Sequence, residues 1–237
     1  MPKLTSGHTS KQFDAELESL RARVLKMGGL VEEQIKHALE ALMAGDMDLC
    51  DTVEKNDHKV NALEVAIDED VSTIIARRQP AAGDLRMLMT VVKTITDLER
   101  IGDEADKIAR MTKLIYSDDR MQLPRTAEIR HMSQMALQML RNSLDAFARL
   151  DLATSADVVR QDRAVDEEFR SILRQLITFM MEDPRTISLC IEILFIAKAI
   201  ERIGDHAKNI SEYVVYMVKG KDVRHVTLEE IEREVLS

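Results

Sequence analysis

Residues 99–103 read Glu-Arg-Ile-Gly-Asp, and the same five residues return at positions 201–205. Positions upstream of the two copies also match or resemble each other at a spacing of 105 residues. The pairs are Val53 with Val158, Asp57 with Asp162, Val60 with Val165, and Asn61 with Asp166. Solenoid repeats are only about 20–50 residues long, so this period indicates one duplicated helical unit rather than a repeat array. We therefore predict two tandem, sequence-related three-helix bundles.

The composition favours an all-α protein. The 237 residues include 8 glycines, 4 prolines and no tryptophan, while strong helix formers such as Leu, Ala, Glu and Lys dominate. The net charge of −9 argues against a nucleic-acid-binding protein, because such proteins meet phosphates with a basic surface. The two cysteines, Cys50 and Cys190, lack the spacing of metal ligands and are predicted to be buried, reduced thiols.

The sequence has no stretch typical of a membrane span or a secretory signal. Residues 1–23 are polar and lack the apolar core of a signal peptide. The longest apolar run, residues 187–200, contains Glu192 and Lys198 and is too short to cross a bilayer. We expect a cytoplasmic protein.

Capping residues and helix breakers divide the chain into six long helices. The expected helices span residues 10–44, 46–78, 82–116, 124–150, 154–182 and 184–219. Their predicted N-terminal signals are Ser10, Asp46 or Asp48, Pro124, Thr154 or Ser155, and Asp183-Pro184. Thr227 and Glu230 resemble a capping box that opens a short C-terminal helix. We predict a first bundle at residues 1–120, a second at 121–220, and a tail at 221–237.

The repeated acids lie on the line of the predicted buried face of their helices. Successive residues turn by about 100°, so the stripe through Leu88, Val92 and Ile95 continues through Glu99, Gly102, Asp103 and Asp106. The stripe of the sixth helix likewise reaches Glu201, Gly204 and Asp205. Carboxylates four residues apart repel each other, and an unpaired buried carboxylate is unfavourable. Two copies of this arrangement indicate that a cation offsets the repulsion.

The second helix of each unit offers further oxygen ligands that antiparallel packing would bring to the same seam. The predicted metal ligands are Asp57, Asn61, Glu99, Asp103 and Asp106 in the first unit, and Asp162, Asp166, Glu201 and Asp205 in the second. Such oxygen ligands suit Mg²⁺, Mn²⁺ or Fe ions, whereas Zn²⁺ usually recruits His or Cys as well. Several acids around one seam could hold more than one ion. Because Asn61 replaces an acid, we expect the first site to bind its metal more weakly.

Interhelical salt bridges are the alternative explanation of these acids, with Arg or Lys from a neighbouring helix as the cation. Arg100 and Arg202 point away from the acid stripe, so they are predicted to be surface partners of Asp103 and Asp205. His206 lies about 100° round the helix from Asp205 and is a weaker candidate ligand.

At these residues the sequence resembles the PhoU family, the accessory regulators of the phosphate-specific transport system. The resemblance covers approximately residues 13–219. It rests on the two E(D)xxxD motifs at 99–103 and 201–205, on their partners in the second and fifth helices, and on the opening Phe13-Asp14-x-Glu16-Leu17.

This resemblance implies several properties. Members of the family bind multinuclear metal clusters on those motifs and tend to form homodimers. They keep the phosphate-starvation response off when phosphate is plentiful, through contacts with phosphate ABC transporter subunits and the sensor histidine kinase. Any association with the membrane is then peripheral, through those partners.

Three functions follow from these observations. The leading hypothesis is a metal-binding regulatory adaptor without enzymatic activity. A carboxylate-bridged di-metal enzyme is the alternative from another class, but such bundles use a Glu-x-x-His pair on each of two helices, and the sequence contains a single one, Glu128 to His131. The third is a purely structural helical scaffold with salt-bridged acids.

Overall fold

Seven α-helices make up nearly all of the described chain. The structure is a computed structural model that describes residues 11–117, 126–224 and 226–236. The helices are α1 (Lys11–Ala44), α2 (Met47–Arg78), α3 (Ala82–Ser117), α4 (Thr126–Arg149), α5 (Leu152–Glu182), α6 (Ile187–Lys219) and α7 (Leu228–Leu236). A 3₁₀ turn, Pro184–Thr186, precedes α6. The predicted all-α fold is confirmed.

The helix termini follow local capping chemistry. Asp46 caps α2 by accepting a hydrogen bond from the backbone N–H of Leu49. Gly45 and Gly220, in the left-handed region at φ 69° and 72°, end α1 and α6. The expected helix starts at Ser10 and Pro124 lie outside the described residues.

The predicted start of the fifth helix is wrong by two or three residues. Asp151, rather than Thr154 or Ser155, caps α5, because its carboxylate accepts hydrogen bonds from the backbone N–H groups of Ala153 and Thr154. Thr154 therefore lies in the first turn of the helix, where its hydroxyl donates to the same carboxylate.

Each unit packs three helices together, and the two units share one core. α1, α2 and α3 contact one another, as do α4, α5 and α6. α3 and α6 also pack against each other along their length, and α1 contacts α4. One continuous cluster of buried apolar side chains includes residues of all six helices. Cys50 and Cys190 are buried free thiols within it, as predicted.

The C-terminal helix is docked on the second unit. The predicted capping box is present, since Thr227 and Glu230 exchange side-chain to backbone hydrogen bonds of 2.8 and 3.3 Å. Ile231 is buried in a small apolar cluster with Val159 of α5 and Val215 of α6. None of the described helices is both long and apolar enough to cross a membrane.

Candidate metal-binding seams

The first seam lies where α1 and α2 approach α3 at Gly102. A Cβ atom on Gly102 would lie 3.3 Å from Gln34 Oε1 and 3.4 Å from Asp57 Oδ1. Both separations are tight for a methyl group, so a side chain here would crowd the two oxygens. The glycine in the first copy of the pentapeptide therefore makes room for polar atoms from two neighbouring helices. We call this group of residues, with Asn61, Glu99, Asp103 and Asp106, the first seam.

Three buried oxygens of the first seam have no hydrogen-bond partner among the described residues. They are Gln34 Oε1, Asp57 Oδ1 and Asn61 Oδ1. The other carboxylate oxygen of Asp57 accepts a 2.9 Å hydrogen bond from the Asn61 amide. Buried acceptors without donors are unfavourable, and a cation can satisfy several of them at once. The donor set consists of oxygens, which suits a hard divalent ion.

The α3 acids lie in a negative electrostatic environment. Burial raises the pKa of Glu99, with further contributions from Asp103 and Glu64. Partial desolvation, followed by the charge of Asp57, also raises the pKa of Asp103, although this residue remains exposed to solvent. Since both shifts show that the negative charge is unfavourable here, a cation bound at this seam would lower both pKa values.

The predicted buried stripe of α3 is rotated from its real position. The buried face runs through Leu88, Val91, Ile95 and Leu98, whereas Val92 is only half-buried. Glu99 and Asp106 are consequently half-buried, and Asp103 is exposed. The acids therefore lie at the edge of the core, so the prediction that they continue the buried face was wrong for Asp103. An edge position gives them access to solvent and freedom to rotate.

The second seam, formed by Asp162, Asp166, Glu201 and Asp205, contains its own cations. Lys208 Nζ of α6 donates a 2.7 Å hydrogen bond to Asp162 of α5, which is 6% exposed. Lys198 Nζ lies 2.6 Å from Glu201 Oε1, one turn away on the same helix. Interhelical salt bridging, the alternative left open by the sequence, is therefore present here.

The remaining second-seam acids are less completely paired. Asp166 lies 3.8 Å from Arg170, at the long end of an ion pair. Burial, together with the charges of Glu201 and Asp162, raises the pKa of Asp205 to about 6. The prediction of a weaker first site counted Asn61 but omitted these lysines. Weaker metal binding at the first seam stays a prediction. The two lysines argue against it, because they already pair with acids of the second seam.

No metal site is already assembled in the described residues. Within residues 11–117, 126–224 and 226–236, no three Asp, Glu, His or Cys side chains are grouped closely enough to hold an ion. A bound ion would therefore require the exposed and half-buried α3 acids to rotate towards Asp57. The unpartnered oxygens near Gly102 are suitable ligands for a metal ion, but they do not form a complete coordination sphere.

Several polar contacts were not anticipated from the sequence. Arg202 reaches Glu104 of α3 at 3.0 Å, so its predicted role as a partner of Asp205 was wrong. His206 Nδ1 lies 2.6 Å from the buried carboxylate of Asp97, to which Asn209 also donates. These pairs join α3 to α6. The only available signal was a polar residue within an apolar stripe, as at Gln34 and Asp97.

Comparison with known proteins places this arrangement in a family. The PhoU domain profile matches residues 24–112 and again 129–214. The chain belongs to the PhoU family. The two matches correspond to the two halves of the sequence duplication. Members of this family are accessory regulatory proteins, which confirms the expectation that the chain is not an enzyme.

PhoU relatives match nearly the whole chain. The phosphate-specific transport system accessory protein PhoU homolog of Pseudomonas putida is 47% identical over 96% of this chain and 89% of its own length. The PhoU accessory protein of Escherichia coli K12 is also 47% identical, over 95% of this chain and 93% of its own length.

Solved PhoU structures share the fold. The crystal structure of PhoU from Pseudomonas aeruginosa matches with a TM-score of 0.85 at 45% identity, covering 88% of this chain and all of that one. The phosphate transport system regulatory protein PhoU from Streptococcus pneumoniae matches with a TM-score of 0.82 at 28% identity, over 89% of this chain and 99% of that one.

Proposed function

We propose that this protein is a regulatory accessory protein of phosphate-specific transport, which keeps the phosphate-starvation response off when phosphate is plentiful. The observation that carries the proposal is the 47% identity to the Escherichia coli accessory protein over 95% of the chain. Because the match includes both three-helix units, the regulatory architecture is shared as a whole and not only in one motif.

In this role the protein acts in the cytoplasm as an adaptor between phosphate ABC transporter subunits and the sensor histidine kinase. Homodimer formation and the kinase contact belong to the proposal. Its support is the match of both three-helix units to the PhoU domain and to accessory proteins of phosphate-specific transport. Signalling would then depend on which surface of the helices each partner covers.

A metal-binding first seam is the second part of the proposal. Asp57 and Asn61 of α2, with Glu99, Asp103 and Asp106 of α3, would hold one or more hard cations such as Mg²⁺, Mn²⁺ or Fe ions. The bound charge would neutralise the carboxylates and hold α2 against α3. The unpartnered Asp57 and Asn61 oxygens support this site. A cation at the second seam would have to displace Lys208 from Asp162.

Deletion of the gene from its own host tests the regulatory role. In phosphate-rich medium, the deletion strain should switch on a phosphate-starvation reporter, and the restored wild-type gene should switch it off. A reporter that stays silent in the deletion strain at high phosphate would contradict the proposal.

The same strain can test whether the metal seam serves regulation. An Asp57→Asn/Asp103→Asn variant, compared at equal protein level with the exposed-surface control Glu69→Gln, should restore repression less well than the wild type. Full repression by the seam variant would show that regulation does not require metal binding at the first seam.

A further inference from the structure

We propose that Gln34 of α1 is a third-helix ligand of the first seam, its amide oxygen completing a site for a hard divalent cation with Asp57 and Asn61. This inference rests on the proposed metal site, and extends it from two helices to three. It also accounts for the difference between the two seams, because the matching position of the second unit bears no oxygen.

The burial of Gln34 is the first observation. The residue is 3% exposed, yet neither its Nε2 nor its Oε1 atom has a hydrogen-bond partner in the described part of the chain. A buried amide without partners is unfavourable, whereas an apolar residue of the same length would fit such a position without that penalty. The amide is therefore explained by something that it binds.

The direction of the amide is the second observation. Gln34 Oε1 and Asp57 Oδ1 both lie within 3.4 Å of the point where Gly102 would place a Cβ. Two unpartnered oxygens from different helices thus face the same space, which the glycine leaves open. Asn61 Oδ1, one helical turn beyond Asp57, is the third buried acceptor without a donor. The three nearest atoms to this Cβ point are the two oxygens and a methyl carbon of Val60 at 3.6 Å, and none of them belongs to a cationic side chain.

A small cavity adjoins Gln34 on the side of α1 and α2. It has a volume of about 140 Å³, lies between α1 and α2, and is lined by Gln34, Glu33, Asn56 and Lys59 with Leu30 and Val60. Lys59 is held by a 2.7 Å hydrogen bond to the Asn56 side chain. Gln34 thus lies between this cavity, on the α1–α2 side, and the space at Gly102 that its amide oxygen faces.

The duplication supplies an internal comparison. At the spacing of 105 residues, Gln34 corresponds to Met139, and at the spacing of 102 residues Asp106 corresponds to Lys208. A Cβ on Gly204 would meet Met139 Sδ at 3.7 Å and Val165 at 3.5 Å, with no oxygen among its nearest neighbours. The second unit thus has a thioether in place of the amide and a lysine in place of an acid. The first seam is built for an external cation, and the second carries a cation of its own.

The chemistry of the ligands defines the ion. Mg²⁺ or Mn²⁺ can be bound by the amide oxygens of Gln34 and Asn61 together with the carboxylates. A neutral amide adds a ligand without adding charge, so it strengthens binding without increasing the repulsion among the acids. Loss of an outer-shell partner already weakens metal binding by about 10–100-fold, so loss of a ligand should weaken it at least as much.

Gln34→Met, which copies the residue of the second unit, tests the inference in the full-length protein. The melting temperature and the Mn²⁺ affinity are measured after chelation, by thermal unfolding and by titration calorimetry. The metal-free variant should melt at a higher temperature than the wild type, because the unpartnered amide is gone. Its Mn²⁺ affinity should fall at least about tenfold, and the Mn²⁺-induced rise in melting temperature should shrink. A rise in the metal-free melting temperature together with a fall in Mn²⁺ affinity distinguishes a ligand from a residue that only packs.

Met139→Gln is the matched control. It should lower the metal-free melting temperature and leave Mn²⁺ binding unchanged, since Lys208 still occupies the second seam. A Gln34→Met protein that binds Mn²⁺ as tightly as the wild type, or that loses metal-free stability, would overturn the role of Gln34. A wild type that binds no Mn²⁺ would overturn the metal site itself, and an equal effect of Met139→Gln would show a general packing effect.

Discussion

At the scale of single residues, the protein tolerates buried acids in two ways. Asp162 and Glu201 are neutralised by lysine ammonium groups within 2.7 Å. Asp57 and Asn61 instead each keep one buried oxygen that has no donor in the described part of the chain. The first arrangement neutralises the carboxylates within the fold, whereas the second leaves an unfavourable free energy that a bound cation would offset.

Glu212 shows how far burial can shift a carboxylate of the second unit. The residue is 5% exposed, and burial raises its pKa to about 7, although the charge of Lys208 acts in the opposite direction. The folded state therefore holds this proton at pH values where the unfolded chain, with its ordinary pKa of 4.5, has released it. Glu212 should consequently lower the free energy of unfolding progressively as the pH rises from about 4.5 to 7.

Glu212→Gln removes this pH-dependent penalty. We expect the variant to be more stable than the wild type at pH 8.5, by up to about 3 kcal/mol, and nearly equal to it at pH 5. Denaturant unfolding at the two pH values measures the difference. Glu69→Gln, on the exposed side of α2, is the control and should show no such pH dependence. A stabilisation of the same size at both pH values would contradict the assigned cause.

The sequence predicted which acids matter, but not what surrounds them. The acids were found because they repeat and because their helical phase could be calculated. Gln34 was missed, since its role depends on how closely α1 approaches Gly102, and that distance is a property of tertiary packing. Lys208 was not among the residues predicted for the second seam. Its contact with Asp162 requires the side-chain conformation and the α5–α6 packing.

At the scale of helices, most boundaries could be predicted because glycine, proline and capping residues mark them. The start of α5 was missed even though the repeat contains the answer. Residues 150 and 151 correspond to Gly45 and Asp46 at the spacing of 105. Leu150 adopts the left-handed conformation of Gly45, at φ 59°, and Asp151 caps its helix as Asp46 does. A leucine at this position does not indicate a helix boundary, because leucine rarely adopts the left-handed conformation.

Gly28 and Gly29 are neighbours in α1 with opposite surroundings. A Cβ on the buried Gly28 would lie 2.7 Å from two methyl groups of Leu144 in α4, whereas a Cβ on Gly29 would have nothing within 4 Å. Gly28 therefore allows α1 to pack closely against Leu144 of α4. Gly29 has no such role in packing.

Valine at these two positions should have opposite effects. Gly28→Val should lower the free energy of unfolding by about 1–3 kcal/mol, because it overpacks the α1–α4 contact. Gly29→Val should leave it unchanged or raise it by about 0.5 kcal/mol, because valine favours a helix more than glycine does. Denaturant unfolding of both variants gives the comparison. Equal destabilisation of the two variants would contradict the role assigned to the contact between Gly28 and Leu144.

At the scale of the whole molecule, the duplication produces one structure rather than two independent ones. α3 and α6 run antiparallel, since Glu104 pairs with Arg202 and Asp97, further towards the start of α3, pairs with Asn209. The shared core and these polar contacts connect the two seams. A change in how α3 sits against α2, caused by a cation at Gly102, can therefore reach the second unit through α6.

The metal content of tag-free protein tests the central claim, a cation held at the first seam of a PhoU-family regulator, most directly. Elemental analysis should find at least one Mg, Mn or Fe ion per wild-type chain. It should find that ion lost in Asp57→Asn/Asp103→Asn and retained in Glu201→Ala/Asp205→Ala, with both variants shown to be folded by circular dichroism. A wild-type protein without bound metal, or a first-seam variant with the same metal content as the wild type, would contradict the claim.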